Sequence, residues 1–558
     1  MRHYNMKLSF ISWLFIFGTL SFALGQAEVG RQKFKNFSTE IPWVYPFGTL
    51  DVAGKETYFA HVPALRISDG EVIHVWKPSH SFQRERVVHK LNVFMETQWK
   101  QGLELGREEE LIHMYTQDSM LVILSVQEKR QEDQHILRAH YLDLDSGTVI
   151  DQHSVFLIVG KDDRELMFTH SPDSSLFMFF HFQHQDPNRK VSLLFDYVRR
   201  DGMAGLRVSN AARMHFRVLN PSLEVQYEGV INLGDKKLQT LDVQIDNEGN
   251  IYTASFQKPS TFEMRQFHRE SETQRMLSYP DFAKITELTD AFHSHFPITV
   301  GQDQQVYVAV ADRQKRGLKK GTRGYSILNF DFQTQEISED RQVGISPGFM
   351  VQVQKTREEF GMRPLRNFDE FMIRNLIEMP DKSLWLVIQK YGENNLPVAF
   401  SAPNWQNSSV QFEMGEIVLI GFSPEGKADR ALIVPSSQRV NNYLDRLGAF
   451  YHMDVDKASQ TIRFILREAS GKNLRGPEKI FLREVDLNRS YVSDRVEIYT
   501  SRRRTHYFLA PYTIWLNKDI VTFMTIEGDD GDAYGVTVNL EVEPEEEERK
   551  KWWKKRKQ

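Results

Sequence analysis

Histidine pairs are the first residues in this chain whose spacing suits chemistry. His181 and His184 flank Phe182-Gln183 just beyond an apolar run, and His293 and His295 stand one residue apart before another. Alternate residues on a strand share a face, so His293 and His295 can address one ligand together. A zinc site needs further ligands at motif spacing, and no His-Glu-x-x-His pattern supplies them. No metal and no cofactor is therefore expected. Asp143-x-Asp145-x-Gly147 and Glu527 to Asp532 (EGDDGD) are acidic enough for calcium. Neither has the closing glutamate of a twelve-residue calcium loop, and the first suits a hairpin turn better. A phosphate loop and a dinucleotide fingerprint are both missing from the sequence. With 75 acids in the chain, no carboxylate pair can be singled out for glycoside cleavage. The catalytic residues stay unknown.

Aromatic residues point instead to recognition. Tyr391 and Trp405 bracket or lie in the segment Asn394 to Asn407 (NNLPVAFSAPNWQN), which reads as a long loop between strands. Loops on a rigid scaffold often carry function, and aromatic platforms beside Asn and Gln suit sugars or peptides. At the far end, Glu541 to Glu548 holds six acids and Arg549 to Lys557 holds seven bases around Trp552 and Trp553. Such a tail either stays solvated or rests on an anionic membrane surface. Arg502-Arg503-Arg504 reads as a charged sheet edge.

The elements that position these residues are strands. The syntax of apolar strand, Asp/Asn/Gly/Pro turn and second apolar strand occurs at Leu111 to Ser125, Met167 to Phe182, Leu241 to Phe256 and Phe296 to Val310. It returns at Asn375 to Lys390, Phe450 to Arg467 and Tyr512 to Ile526. The copies are spaced by roughly 55 to 80 residues. A second, more alternating pair follows most of them, as in Leu137 to Ile150 and Ile417 to Val434. Second strands such as Leu384 to Ile388 are apolar at every position, which requires burial on both faces. Four strands per repeat with doubly buried middles describe an all-β fold, a β-propeller of about seven four-stranded blades, eight if residues 40 to 90 form another. Two β-sandwich domains are the alternative. Tyr58 to Val62 or Val72 to Trp76 is expected to complete the last blade. Short helical insertions are expected at Asp281 to Phe292 and Phe360 to Phe371.

The ends and the composition address the location. Arg2 and Lys7 precede an apolar run of about a dozen residues, Leu8 to Leu20, and then Ala23-Leu24-Gly25. This pattern reads as a signal peptide over 1–25, followed by a propeller over 26–543 and a charged tail over 544–558. No second run reaches the roughly 20 apolar residues of a spanning helix. A net charge of −5 lacks the basic footprint of a nucleic-acid binder. The chain has no cysteine, hence no disulfides, which for an exported protein of this size suits a bacterial envelope.

Ser171-Pro172-Asp173, Asp246 to Tyr252 (DNEGNIY) and Gly415 to Ala431 (GEIVLIGFSPEGKADRA) carry a resemblance. Through them the chain resembles large exported bacterial β-propeller-like proteins of unknown function. The resemblance implies the fold and no reaction, since these motifs are turn grammar. The expectation is a secreted or periplasmic non-catalytic propeller serving as a binding or assembly module for an unknown protein or glycan ligand. The alternatives are a propeller hydrolase or lyase acting on polysaccharide or peptide, and an envelope scaffold docked by its basic tail.

Overall fold

A computed structural model gives the architecture. It describes residues 27–34, 49–50, 56–57, 64–68, 70–76, 85–106, 109–129, 134–159, 166–184, 186, 192–195, 206–209, 211–234, 238–257, 261–280, 298–301, 304–314, 321–345, 347–359, 364–365, 368, 371–395, 410–436, 438–440, 451–469, 478–500, 506–527 and 532–540.

Eight antiparallel sheets of four or more strands follow one another along these residues. They span 64–104, 109–159, 167–232, 238–279, 298–344, 371–434, 452–500 and 506–539, and are numbered blades 1 to 8 in that order. The fold is an eight-bladed β-propeller. All seven repeat hairpins read from the sequence are the first two strands of blades 2 to 8. The eighth unit is blade 1, so Val72 to Trp76 belongs to its second strand, Glu71–Trp76, and not to the closure. Tyr58 to Val62 lies outside the described residues. Blade 8 is completed by Ala27–Phe34, which pairs with Asp532–Asn539 from Ala27 opposite Asn539 to Phe34 opposite Ala533.

The core is divided into eight apolar seams, one between each pair of successive blades. Ile73, Val75 and Trp99 of blade 1 meet Leu111, Leu121 and Ile123 of blade 2. Phe177 and Phe179 of blade 3 meet Val122, Leu124 and Leu137 of blade 2. The pattern runs on through blades 3 to 8. It ends with Leu516 and Met524 of blade 8 against Val72, Trp76 and Leu91 of blade 1, which closes the ring. Each fully buried Leu, Val or Phe contributes about 1.5–3 kcal/mol, so no seam is dispensable.

Polar contacts repeat at the seams too. Side chains on the fourth strand of one blade donate to a carbonyl in the last turn of the next. Trp99 Nε1 reaches Leu144 O at 2.9 Å, Arg275 reaches Phe332 O at 2.9 Å, Arg341 reaches Pro424 O at 3.3 Å, and Arg430 reaches Leu487 O at 2.9 Å. Inner strands are tied likewise: Gln244 Nε2 donates to Ile298 O at 2.9 Å and Thr299 Oγ1 to Leu376 O at 2.6 Å.

One helix is present among the described residues, α1 (Pro347–Glu359), between blades 5 and 6. It lies just upstream of the expected Phe360 to Phe371. Pro347 suits a first helical turn, while Gly361 and Pro364 oppose continuation beyond it. Asp281 to Phe292 lies outside the described residues.

Two predictions follow from the closing seam. A Cβ on Gly30 would stand 2.1 Å from Phe94 O in the last turn of blade 1, so only glycine fits there. Gly30→Val should cost about 1–3 kcal/mol and lower the melting temperature in a thermal scan, whereas Gly70→Ala, with open space around it, should cost far less. The second concerns acid. His74 and His89 stand opposite each other on blade 1. Burial, with each neighbouring charge adding to it (His89 for His74, Lys100 for His89), pushes their pKa values down from 6.5 to about 3 and about 4. The unfolded chain takes up these protons first. Stability is therefore full above pH 6.5 and falls as pH drops towards 4, by roughly 1.4 kcal/mol per unit per histidine at most. Denaturant titrations of His74→Leu should show a shallower slope over that range.

Candidate ligand-binding face

The eight meanders give the ring two unlike faces. Connections between first and second strands, and between third and fourth, lie at one end and never exceed six residues. Here an Asp or Asn caps most turns. Asp143 accepts from Ser146 N at 2.7 Å, Asp331 from Thr334 N at 2.9 Å and Asp456 from Ser459 N at 3.2 Å. The Asp143 loop is thus a hairpin turn, its carboxylate consumed locally. This end is the turn face. The connections at the other end, the loop face, include all the long ones: 35–63, 185–210, 280–297, 345–370, 396–409 and 435–451.

Two β-structures rise on the loop face. Ser192–Phe195 and Leu206–Ser209 form a hairpin inserted in blade 3. It joins the inner edge of blade 4 through Val208 opposite Thr240 and Ser209 opposite Gln239, next to the axis. In blade 6, Leu384–Asn395 and Val410–Phe422 continue as an arm to Asn395 opposite Val410. Gln438–Val440 adds a third strand through Phe412 opposite Val440. At about 3.3 Å per residue the arm projects about 15 Å. Helix α1 is fixed beside it by a buried ion pair between Arg357 and Glu416, and by Phe349, Met350 and Val353 packed into the seam.

The residues singled out from the sequence fall on this face where they are described. His181 lies on Phe177–His184 of blade 3, directly opposite His215, and the two imidazoles stack at 4.9 Å with planes 2° apart. His215 Nε2 also meets Gln183 Oε1 at 3.0 Å. His184 turns back on its own chain, with Nδ1 accepting from Asp186 N at 2.9 Å. Tyr391 is a strand residue, paired with Met414, and Asn394 and Asn395 are strand residues too. The reading of a loop from Asn394 is corrected to this extent: the ladder simply outlasts the blade. His293, His295 and Trp405 lie outside the described residues. Trp552, Trp553, Arg502 to Arg504 and the centre of the Glu527 to Asp532 run also lie outside them. Among the described residues no group of three His, Asp or Glu is placed to hold a metal ion.

Sequence reasoning passed over His215, which only strand pairing brings to His181, and Asp242. Asp242 belongs to Leu238–Ile245, the inner strand of blade 4, two residues below the hairpin junction. It accepts from Val243 N at 2.8 Å and Gln244 Nε2 at 3.1 Å. Burial outweighs these bonds and pushes its carboxyl up to about 6. An acid placed among Leu241, Val243 and Ile245 was the available signal. Such a group keeps its proton in mild acid and can then donate to a ligand oxygen.

A buried Ser-His-Glu set exists but lacks relay geometry. In blade 2, Ser125 Oγ lies 2.5 Å from Glu109 Oε1 and 2.8 Å from His140 Nε2, and that same nitrogen is 3.2 Å from Glu109. A nucleophile relay needs serine and carboxylate on opposite ring nitrogens. Burial raises the Glu109 pKa, yet hydrogen bonds from His140, Ser125 and the Gly106 amide prevail and bring it to about 2. The set reads as a satisfied polar core.

No protein-family profile matches the chain, and no curated protein matches it. Solved structures do. The chain is similar to the polysaccharide lyase Uly1, with 11% identity over 77% of this chain and 89% of that one, at a TM-score of 0.33. It is similar to the WD40 domain of SCAP from fission yeast, with 9% identity over 92% and 99%, at 0.35. It is also similar to the β-propeller domain of the Trilobed protease from Pyrococcus furiosus, with 8% identity over 79% and 97%, at 0.32. At these values the likenesses carry no argument about activity.

Asp242→Asn separates its ionisation from its shape. Above pH 6 the buried carboxylate opposes folding, so the variant should be more stable there, by up to about 3 kcal/mol. The gain should shrink as pH falls from 6 towards 4, read as denaturation midpoints across that range.

Proposed function

We propose that the chain is an exported, non-catalytic propeller that holds a protein or glycan ligand on its loop face. The observation behind this reading is the one-sided distribution of chain: every long connection, the inserted hairpin and the three-stranded arm share one end of the ring. Long loops on a rigid scaffold are where recognition concentrates. The stacked pair His181 and His215, with Gln183 beside it, offers polar edges and an aromatic face on that side. The segments bearing His293, His295 and Trp405 would add to it. Export rests on the signal-like segment 1–25 and the cysteine-free composition. Among the described residues, no helix is long and apolar enough to cross a membrane.

One observation favours an enzyme instead, a hydrolase or lyase on polysaccharide or peptide. Asp242, poised to titrate at about 6 beside the axis, has the kind of shifted ionisation that active sites use. The binding reading is preferred because the long connections gather at one end of the ring, where recognition concentrates.

Photo-crosslinking in the native host tests the reading. A photoreactive residue at Asn394, on the arm, should form a discrete adduct, and one at Asp145, on the turn face, should not. Adducts from Asp145 alone would reject a loop-face ligand. Asp242→Asn should leave the Asn394 adduct intact if Asp242 serves chemistry rather than binding.

A further inference from the structure

The turn face is polarised in a way that the loop-face reading does not use. In blades 1, 2 and 3 its described turn residues are Gly70, 93–96, 118–119, 144–148, 171–176 and 220–224. They include Glu96, Asp118, Asp145, Asp173 and Glu224, all exposed, and no lysine, arginine or histidine. None of the five forms an ion pair among the described residues. The partners they have are neutral: Glu96 accepts from Asn92 Nδ2 at 2.9 Å, Glu224 from Asn220 Nδ2 at 3.1 Å and Asp173 from Ser175 N at 3.0 Å. Three large apolar side chains stand among these carboxylates, where the third strand turns into the fourth. They are Phe94 in blade 1 at 54% exposure, Ile150 in blade 2 at 56% and Val225 in blade 3 at 49%. The turns of blades 7 and 8 differ, and present Lys457, Arg489 and Lys518 to solvent.

The chain leaves the ring between these two regions. The third strand of blade 8 ends at Asn539, and Leu540 N donates to Asp519 O at 2.7 Å. Leu144 and Leu487 make the equivalent bond to Ser119 O and Gln460 O in blades 2 and 7, where the chain then turns into a fourth strand. In blade 8 the fourth strand is Ala27–Phe34, so the chain continues past Leu540 from the turn face, beside blade 1. The order of charge beyond Leu540 complements that of the face. Six acids come first, in Glu541 to Glu548, next to the cations of blades 7 and 8. Seven bases follow in Arg549 to Lys557, around Trp552 and Trp553. Nine residue steps separate Leu540 from Arg549 and extend to at most about 30 Å. Stacked sheets lie about 10 Å apart, so Arg549 can reach blades 1 and 2 and the bases after it can reach blade 3.

We infer that the turn face of blades 1 to 3 is a docking surface for the chain's own segment 549–557. Its lysines and arginines meet Glu96, Asp118, Asp145, Asp173 and Glu224, and Trp552 and Trp553 cover Phe94, Ile150 and Val225. Exposed ion pairs are weak singly, and several of them with apolar cover act together. Attachment at Leu540 also holds the segment at high local concentration over the face, so modest contacts suffice. The segment then crosses the seam between blade 8 and blade 1, the joint where the ring closes. It straps the last blade to the first three and shields their apolar rim from water. The inference stands whether or not the loop face binds a ligand.

Carbodiimide crosslinking of the purified chain tests it, because this reagent joins a lysine amine directly to a carboxylate in contact. Peptide mass spectrometry should find Lys550, Lys551, Lys554 or Lys555 joined to Glu96, Asp145 or Glu224. Exposed Glu104, at the loop-face end of blade 1, should give none. A mixture of isotopically heavy and light protein should show that the links lie within one molecule. About 0.5 M salt should cut their yield roughly fivefold or more. The triple variant Phe94→Ser, Ile150→Ser, Val225→Ser should cut it similarly while the ring stays folded by circular dichroism. Links that join the lysines only to Glu541 to Glu548, or only heavy to light copies, would overturn the inference. So would a triple variant that crosslinks like the parent, since the apolar rim would then play no part.

Discussion

A four-stranded antiparallel sheet whose middle strands are apolar on both sides has no stable existence alone. Each blade here needs a neighbour on its left and on its right, and a ring is the arrangement that gives every blade both. The eight apolar clusters are the expression of that need, each drawn from two successive blades. Hydrogen bonds from Trp99, Arg275, Arg341 and Arg430 to the next blade's turn recur at matching positions. They set the stagger between sheets, while burial supplies the attraction. Residues as far apart in the fold as Gly30 and Asp242 acquire their properties from this closure, one by crowding and the other by exclusion of water.

The division into two faces is a product of the same constraint. Strand order within each blade fixes which connections share an end, and the tight end is tight because its turns also bond to one another. The free end has no such duty, so chain length accumulates there. The hairpin on blade 4 and the arm on blade 6 are strand ladders that extend beyond the blades, so their backbones are ordered by pairing instead of by packing alone. A rigid floor with ordered uprights is a sound base for recognition.

Much of this was legible in the sequence. Leu384 to Ile388 and its counterparts declare burial on both faces, and turns rich in Asp or Asn, such as Asp246-Asn247-Glu248-Gly249 and Asp381-Lys382, mark the hairpins, so blades 2 to 8 could be read directly. Blade 1 was harder because its first strand, Ala64–Ser68, carries Arg66 and alternates. The closing strand AEVGRQKF was missed because an outermost strand buries little and shows no apolar run. Tyr391 was misplaced because the polar stretch after it resembles a loop, although pairing with Met414 makes it strand. At the candidate site His181 was visible, but its partner His215 is 34 residues on and is joined only by register. Asp242 was one of many acids; its place among Leu241, Val243 and Ile245 hinted at enclosure, but the fold alone sets its ionisation.

The pairing of Ala27–Phe34 with Asp532–Asn539 bears on how the molecule is made. A strand this near the N-terminus must wait, unpaired, until nearly all of the remaining polypeptide has emerged. Until then blade 8 has an open hydrogen-bonding edge and blade 1 lacks its wall, both invitations to wrong partners. Contacts of such long sequence separation form slowly. The ring therefore closes last at blade 8, whose own strands are the final ones to be made.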